Sequence, residues 1–435
     1  MSETVLVVGE TGRDMALAEA VAMSEEVGRV FCIPGNAGTA QLSKIKNVNF
    51  WHLDVEGITR FACEHREGLS VVIGPRGPQV RGLGDSLREQ NIPVLGSSSA
   101  AAQLEKSKIF ADGFMKQYGI PHPKSEVATS LSEALSLLSS NPLSQVIKAD
   151  GTAYGKGVVL PSTSEEAKWI LQAMFGGEAF NGAGKDGVVL QERLSGPERS
   201  VFVICGNENF SIVPFIAQDY KRLQENDVGP NTGGMGAYAQ DATEMMNRNQ
   251  LEEVYDIASK TISGMIDRGT PFQGVLYLGL MLAKEYDNRP VVLEYNTRFG
   301  DPEAQVVLPL MVSAGFDMHS VFREASIGRV PDLPVPRIVG DTALTVCLMA
   351  QGYPDNPRAG ATIHGLDRLY PDVKIYHNST VRNEGNIQVA GGRVLDVTGM
   401  GTDVDAAAQA AYRAIGENGV HFDGVRYRTD IGFRV

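Results

Sequence analysis

Three segments carry residue types at spacings that suit chemistry on phosphates and carboxylates. The first runs Val146-Ile147-Lys148-Ala149-Asp150-Gly151-Thr152-Ala153-Tyr154-Gly155-Lys156-Gly157-Val158-Val159-Leu160. An apolar strand leads into a glycine loop and a second strand leads out. Gly151, Gly155 and Gly157 let backbone N–H groups approach phosphate oxygens, and Lys148 and Lys156 add point charges. This is not a Walker A loop, because no Ser or Thr follows the lysine and no helix follows the loop. Taken alone, a plain β-hairpin with exposed lysines fits equally well. The second segment is Val291-Val292-Leu293-Glu294-Tyr295-Asn296-Thr297-Arg298-Phe299-Gly300-Asp301-Pro302-Glu303. On a strand, Glu294 and Asn296 share a face. A carboxylate and an amide oxygen there suit Mg²⁺ (or Mn²⁺), which takes hard oxygen ligands and shares them with phosphates. Arg298 continues that face and can grip a carboxylate bidentately. The third pairs Gln218-Asp219-Tyr220-Lys221-Arg222 with Gly229-Pro230-Asn231-Thr232-Gly233-Gly234-Met235-Gly236-Ala237-Tyr238. By itself it reads as a surface loop; beside the other two it becomes a lid over an anionic intermediate.

These segments need a scaffold. Residues 1–100 alternate apolar runs (Thr4–Val8, Val30–Ile33, Ser70–Ile73, Ile92–Leu95) with helical stretches such as Arg13–Met23. That alternation implies a parallel sheet whose C-terminal strand ends hold ligands. Glycine turns follow Val8, Ile33 and Ile73. Leu104, Ser107, Ala111, Phe114 and Tyr118 follow helical spacing, so one helix is expected from about Ala100 to Tyr118. A strand Val188–Leu194 is expected ahead of the larger central unit. Pro121 and Pro123 mark one linker and Val330–Pro336 another. In the tail, strands are expected at Ala343–Leu348, Val373–Tyr376 and Arg393–Val397. A last helix is expected to start from a Thr402/Asp405 capping box.

Composition narrows the classes. Hydrophobic residues at 43% and charged residues at 21% are globular values that exclude a disordered or coiled-coil chain. A net charge of −13 argues against nucleic acid or an acidic membrane as partner, so any anionic substrate needs a locally basic pocket. Cys32, Cys63, Cys205 and Cys347 form no Cys-x-x-Cys pair, which points away from zinc and redox chemistry and towards a reduced, cytoplasmic protein. The first residues are too short an apolar run for a signal peptide. No stretch reaches the roughly 18 apolar residues of a membrane helix.

Together these segments closely resemble the glycinamide ribonucleotide synthetase family of ATP-grasp enzymes. The resemblance runs end to end, through Pro34-Gly35-Asn36-Ala37-Gly38-Thr39-Ala40, Ala101-Ala102-Gln103-Leu104-Glu105 with Ser107-Lys108, Lys148-Ala149-Asp150-Gly151, residues 229–238, Arg298-Phe299-Gly300-Asp301-Pro302-Glu303, Ile363-His364-Gly365-Leu366 and Asp430-Ile431-Gly432. It implies a multidomain α/β and α+β ATP-grasp fold. An N-terminal parallel-sheet domain would occupy residues 1–103 and the central ATP-grasp domain 104–120 with 189–328. An inserted lid would span 121–188 and a C-terminal α+β lobe 329–435. The implied reaction joins glycine to 5-phosphoribosylamine through an acyl phosphate, with ATP and Mg²⁺, in a monomer or small homo-oligomer.

By the same resemblance, Lys108 and Lys148 contact ATP phosphates under the Gly151–Gly157 loop. Glu192 and Leu194 lie at the adenine hinge, Glu198 takes the ribose hydroxyls, and Glu294 and Asn296 hold the metal. Asp219, Lys221, Arg298, Asp301 and Glu303 line the amino-acid and acyl-phosphate site. Gly9, Gly12, Arg13, Gly35, Asn36, Gly74 and Arg76 bind the amine. The chain departs from the family pattern at Met15 and Tyr220, where histidine is usual, at Arg76, where the turn usually carries glutamate, and at Thr297, which is often cysteine. Met15 has no N–H to donate, and Arg76 has only donors. The departures fit either tolerated variants or a paralogous ligase whose amine bears an anionic group facing Arg76. A non-catalytic ATP-binding regulator is a third class, poorly matched to a chain that keeps Glu294, Asn296 and Arg298.

Overall fold

The computed structural model describes residues 2–140, 146–151, 157–177, 180–330, 333 and 341–433. Strand Glu3–Gly9 pairs in parallel with Val27–Pro34 on one side and Leu69–Ile73 on the other, in a five-stranded sheet completed by Ile45–Asn47 and Val94–Leu95. Val5 to Val8 are all buried, as befits a parallel strand covered on both faces. The order leaves three glycine turns side by side. Gly35 N donates to Gly9 O at 3.0 Å and Gly74 N to Val8 O at 2.9 Å, so the turns form one wall at the C-terminal strand ends.

The chain then breaks where one helix was expected. A turn of helix, Gln103–Lys106, ends at Ser107, and a second helix runs Lys108–Gln117. Ser107 is extended (φ −115, ψ 117) because its hydroxyl caps Phe110 N and donates to Asp150. The break puts Lys108 at a helix start beside the glycine loop.

Strands Ser125–Ala128, Val188–Gln191, Val146–Ala149 and Val158–Val159 form a four-stranded antiparallel sheet, with helices Leu131–Ser140 and Ser164–Gly176 over its apolar core. The expected boundary at 188/189 passes through the strand Val188–Gln191. The largest sheet has nine strands. Its path runs from Arg289–Asn296 through Phe272–Ala283, Glu198–Asn207, Phe215–Asp219, Gly236–Asp241, Thr342–Met349 and Arg393–Gly401 to Val373–His377, with Asn209–Ile212 paired beside Glu198–Asn207. It therefore crosses the expected 328/329 boundary, through the pairing of Gly236–Asp241 with Thr342–Met349. Helix Arg248–Asp267 covers one end. Asn247 and Gln250 box its N-terminus at 3.0 Å each way, and Val254, Ile257, Ala258, Ile262 and Met265 form its buried stripe. The last helix, Val404–Arg413, is capped by Asp403 rather than Thr402, because the Asp403 carboxylate accepts from Ala406 N at 2.8 Å. Among the described residues no single helix is long and apolar enough to cross a membrane.

Candidate active site

The second and first segments meet at the edge of the nine-stranded sheet. Strand Arg289–Asn296 is terminal in that sheet, and a bulge opposite Gly279/Leu280 offsets Leu293. Lys148 reaches across to donate to Leu293 O at 2.8 Å, and Lys108 Nζ lies 3.2 Å from Glu294 Oε2. Burial and the Lys108 charge push the Lys148 ammonium down to about 8, against the pull of Glu294. For Glu294, burial alone would raise the carboxyl. Lys108, Lys221 and Lys148 outweigh it and hold the group well below the usual carboxylate range. Asp150 accepts from Ser107 Oγ (2.8 Å) and Ile109 N (3.1 Å), which fastens the mouth of the glycine loop to Lys108. Gly151 takes a left-handed φ of +97, and Gly157 O closes the hairpin on Ala149 N at 2.8 Å. Gly155 and Lys156 lie outside the described residues.

The strand expected to reach Leu194 stops at Gln191. Glu192 still exchanges bonds with Lys124 (N to Lys124 O at 3.0 Å; Oε1 from Lys124 N at 2.7 Å), and Tyr286 donates to the same oxygen. Beyond it Glu285 captures Ser195 N, drawing the half-buried Leu194 into a loop. Glu198 opens the next strand, and its Oε2 lies 2.7 Å from Lys221 Nζ.

The third segment completes this face. Asp219 ends a strand and lies 3.7 Å from Lys221 Nζ, while the main chain of Lys221 is fixed by Thr232 N and Oγ1 at 2.7 and 2.9 Å. Alternation sends Tyr220 the other way. It is 2% exposed, accepts from Gly432 N at 3.1 Å and stacks under Arg428. This departure from the usual histidine thus packs against the C-terminal tail. Glu303 is buried and accepts from Ser200 Oγ at 3.1 Å. Burial, reinforced by Glu303, Glu198 and Glu294 and opposed by Lys221, raises the Asp219 carboxyl.

Arg298 sits just past the strand end. Its Nη2 donates to Glu105 Oε1 and to Asn296 Oδ1, both at 3.0 Å. Glu105, to which sequence reasoning gave no role, is the hub of this corner. In the sequence it stands only as the last residue of the segment Ala101–Glu105.

The donor set suits a hard divalent cation. Glu294 and Asn296 offer a carboxylate and an amide oxygen two residues apart. Asp219, Glu198 and Glu303 lie close enough to Glu294 and Lys221 to act on the same charges, and a carboxylate with an amide oxygen is the hard-oxygen pair such a cation takes. No group of three His, Cys, Asp or Glu with metal-ligand geometry occurs among the described residues, so phosphate oxygens would supply the remaining ligands.

The amine-side residues gather at the wall of turns. Gly9 and Gly74 lack a Cβ because Asp14 fills the space; a Cβ would lie 2.1 and 1.9 Å from its carboxylate. Arg13 Nε grips Asp14 Oδ1 at 2.8 Å. Gly12 opens the helix Gly12–Ala22, and its N donates to Asn378 Oδ1 at 2.7 Å. Gly35 has φ +71 against Asn47. The Asn36 side chain is held by the protein, donating to Glu10 O and His377 O and accepting from Gly38 N and Thr39 N. Asp301 faces this wall rather than Lys221, at 2.7 Å from Arg393 and 2.8 Å from Gln305. Burial would raise its carboxyl, but Arg393 and Arg13 hold it low. Arg76 Nη1 lies 4.0 Å from Glu105. Asn378, Arg393 and Asp396, all from the C-terminal region, were not singled out from the sequence.

Met15, the other departure from histidine, is buried with its sulfur 3.3 Å from His377 N. Burial, then Arg382, lowers His377 to about 4, so it is neutral when folded. The unfolded chain takes up that proton near the ordinary value of about 6.5. Stability from this group is therefore present above pH 6.5 and lost as pH falls towards 4, by about 3 kcal/mol in full. Urea midpoints at pH 7 and 4.5 should differ more for the unaltered protein than for His377→Gln; equal differences would remove His377 from the acid response.

Models of three phosphoribosylglycinamide synthetase domains match in order: the N domain over residues 3–105, the ATP-grasp (A) domain over 106–304 and the C domain over 343–434. The chain belongs to this synthetase family. It is 39% identical to the phosphoribosylamine–glycine ligase of Vibrio parahaemolyticus, over 99% of this chain and 98% of that one. It is 38% identical to human trifunctional purine biosynthetic protein adenosine-3, covering 100% of this chain and 42% of that longer protein. The crystal structure of phosphoribosylamine–glycine ligase from Thermotoga maritima superposes with a TM-score of 0.83 at 32% identity, over 98% of this chain and 100% of that one. At 14% identity and a TM-score of 0.72, the biotin carboxylase domain of a Hydrogenobacter thermophilus 2-oxoglutarate carboxylase shares the fold, over 98% of this chain and 92% of that one. The synthetase family's ATP-grasp architecture is thus the one found here.

Proposed function

We propose that this chain joins glycine to 5-phosphoribosylamine in purine biosynthesis, releasing ADP and phosphate. The observation that carries this reading is the convergence of Lys108, Lys148, Glu294, Asn296 and Arg298 at one strand end of a chain that matches this family throughout. A carboxylate is a poor acylating agent. Its oxygen attacks the γ-phosphorus of ATP, the bond from that phosphorus to the ADP oxygen breaks, and an acyl phosphate forms. The amine nitrogen then attacks the acyl carbon, the carbon–oxygen bond breaks, phosphate leaves and the amine gives up a proton.

The residues supply placement and charge. Lys108 and Lys148 neutralise phosphate oxygens. Arg298 holds the glycine carboxylate in line, beside Asp219, Lys221 and Glu303. Glu294 and Asn296 would hold Mg²⁺, which when bound neutralises charge on the transferring phosphoryl group. The segment 121–188 serves as the lid, its Gly151–Gly157 loop keeping water from the acyl phosphate. Glu192, Leu194 and Glu198 take the nucleoside, and the wall from Gly9 to Arg76 with Asp301 takes the amine.

The test is ADP release from purified protein with MgATP, glycine and freshly generated phosphoribosylamine. Turnover should require all three and yield glycinamide ribonucleotide. ADP release indifferent to either co-substrate would sink the reading.

A further inference from the structure

The residues on either side of Lys221 rest on one side chain from the C-terminal region. Arg428 is 1% exposed. Its guanidinium lies 5.1 Å from the centre of the Tyr220 ring, and its Nη1 donates to Arg222 O at 3.0 Å. Nε and Nη2 grip the two oxygens of Asp430 at 2.7 Å each, and Nη1 also meets Asp227 Oδ1 at 2.7 Å. The same tail adds two ties. Gly432 N donates to Tyr220 Oη at 3.1 Å, and Asp430 Oδ2 accepts from Asn226 N at 2.8 Å. Asn226 and Asp227 lie in the turn between the paired strands Arg222–Gln224 and Val228–Asn231. The second strand leads back to Thr232, whose N and Oγ1 hold Lys221 O. The main chain is thus fixed before, at and after Lys221. Its side chain, 34% exposed, reaches the open face, 2.7 Å from Glu198 and 3.7 Å from Asp219. A buried ion cluster is weak evidence for added stability. What this fork fixes is the path of the backbone.

On the reading that Lys221 faces the glycine and acyl-phosphate site, we propose that Arg428 is a positioning residue for Lys221: the C-terminal tail sets the course of Tyr220–Arg222 and so the point at which the Lys221 ammonium meets its anion. A guanidinium suits the task because its planar fork serves a carbonyl and two carboxylates while its flat face covers a ring. A lysine ammonium cannot do all of these at once. Tyr220, one of the departures from the family pattern, supplies the ring and the phenolic acceptor for the tail.

The test is a double-mutant cycle read on glycine kcat/KM. Arg428→Lys keeps one positive charge and should lower it by about tenfold or more. In a Lys221→Met background the same change should cost less than about threefold, because its target is already gone. A loss of general stability would carry over undiminished into the second background. Single-turnover rates with enzyme in excess over glycine read the slow variants. If Arg428→Lys does not fold, as judged by titration with MgATP, Tyr220→Leu serves. It should cost about fivefold alone and less than about twofold beside Lys221→Met. Equal losses in both backgrounds would overturn the proposal. So would an Arg428→Lys or a Lys221→Met variant with unimpaired glycine kcat/KM. If the unaltered protein shows no glycine dependence, the proposed function falls and this inference falls with it; glycine-dependent turnover with additive losses removes the inference alone.

Discussion

Arg298→Ala is expected to lower kcat/KM for glycine by about 10³-fold while leaving the Kd for MgATP within about threefold. Arg298 is the cation placed both beside the metal-type amide Asn296 and on the open side of Glu105. Lys108 and Lys148 engage Glu294 and Leu293 O instead, so the nucleotide side keeps its own charges. The variant should still fold, because Glu105 retains both Thr297 bonds and Arg76. Steady-state kinetics and a nucleotide titration on one preparation separate the outcomes. Equal losses in nucleotide affinity and glycine kcat/KM would assign Arg298 to ATP binding.

The second large effect is on stability. Asp14→Ala should cost about 3–5 kcal/mol, because it leaves the buried Arg13 without its carboxylate. Asp14, whose side chain is 3% exposed, lies 2.8 Å from Arg13 Nε and accepts from Glu10 N and Thr11 N at 2.8 and 2.9 Å. It also fills the space that the absent Cβ atoms of Gly9 and Gly74 leave open. One side chain thus ties two of the three turns to the first helix. Urea midpoints should fall well below those of the unaltered protein. A change under about 1 kcal/mol would mean that water replaces the carboxylate there.

Much of this architecture is legible in the sequence because local patterns carry it. The all-apolar run Val5–Val8 with its glycine turn, the lysines around the glycine loop, and the strand Val291–Asn296 each announce an element and a chemistry within a dozen residues. What escaped depends on partners remote in sequence. Helical spacing continues through Ser107, yet the helix breaks there because Asp150 captures the hydroxyl. Thr402 has the right offset for a capping box, but the neighbouring Asp403 offers a carboxylate and takes the role. Glu105 ends a recognisable segment but announces no partner, since Arg298 lies far along the chain. Asp301 belongs to a conspicuous motif, yet its partner Arg393 comes from the C-terminal region, across the continuous nine-stranded sheet. The sequence shows the donors of Arg76 but not Glu105, which lies 4.0 Å from its Nη1.

The most direct measurement follows the oxygen. Glycine labelled with ¹⁸O in its carboxylate, turned over with MgATP and phosphoribosylamine, should pass one ¹⁸O into each phosphate released, since the carboxylate oxygen that attacks phosphorus leaves with it. Mass spectrometry of the phosphate reads this. Unlabelled phosphate accompanying formation of glycinamide ribonucleotide would contradict an acyl-phosphate route.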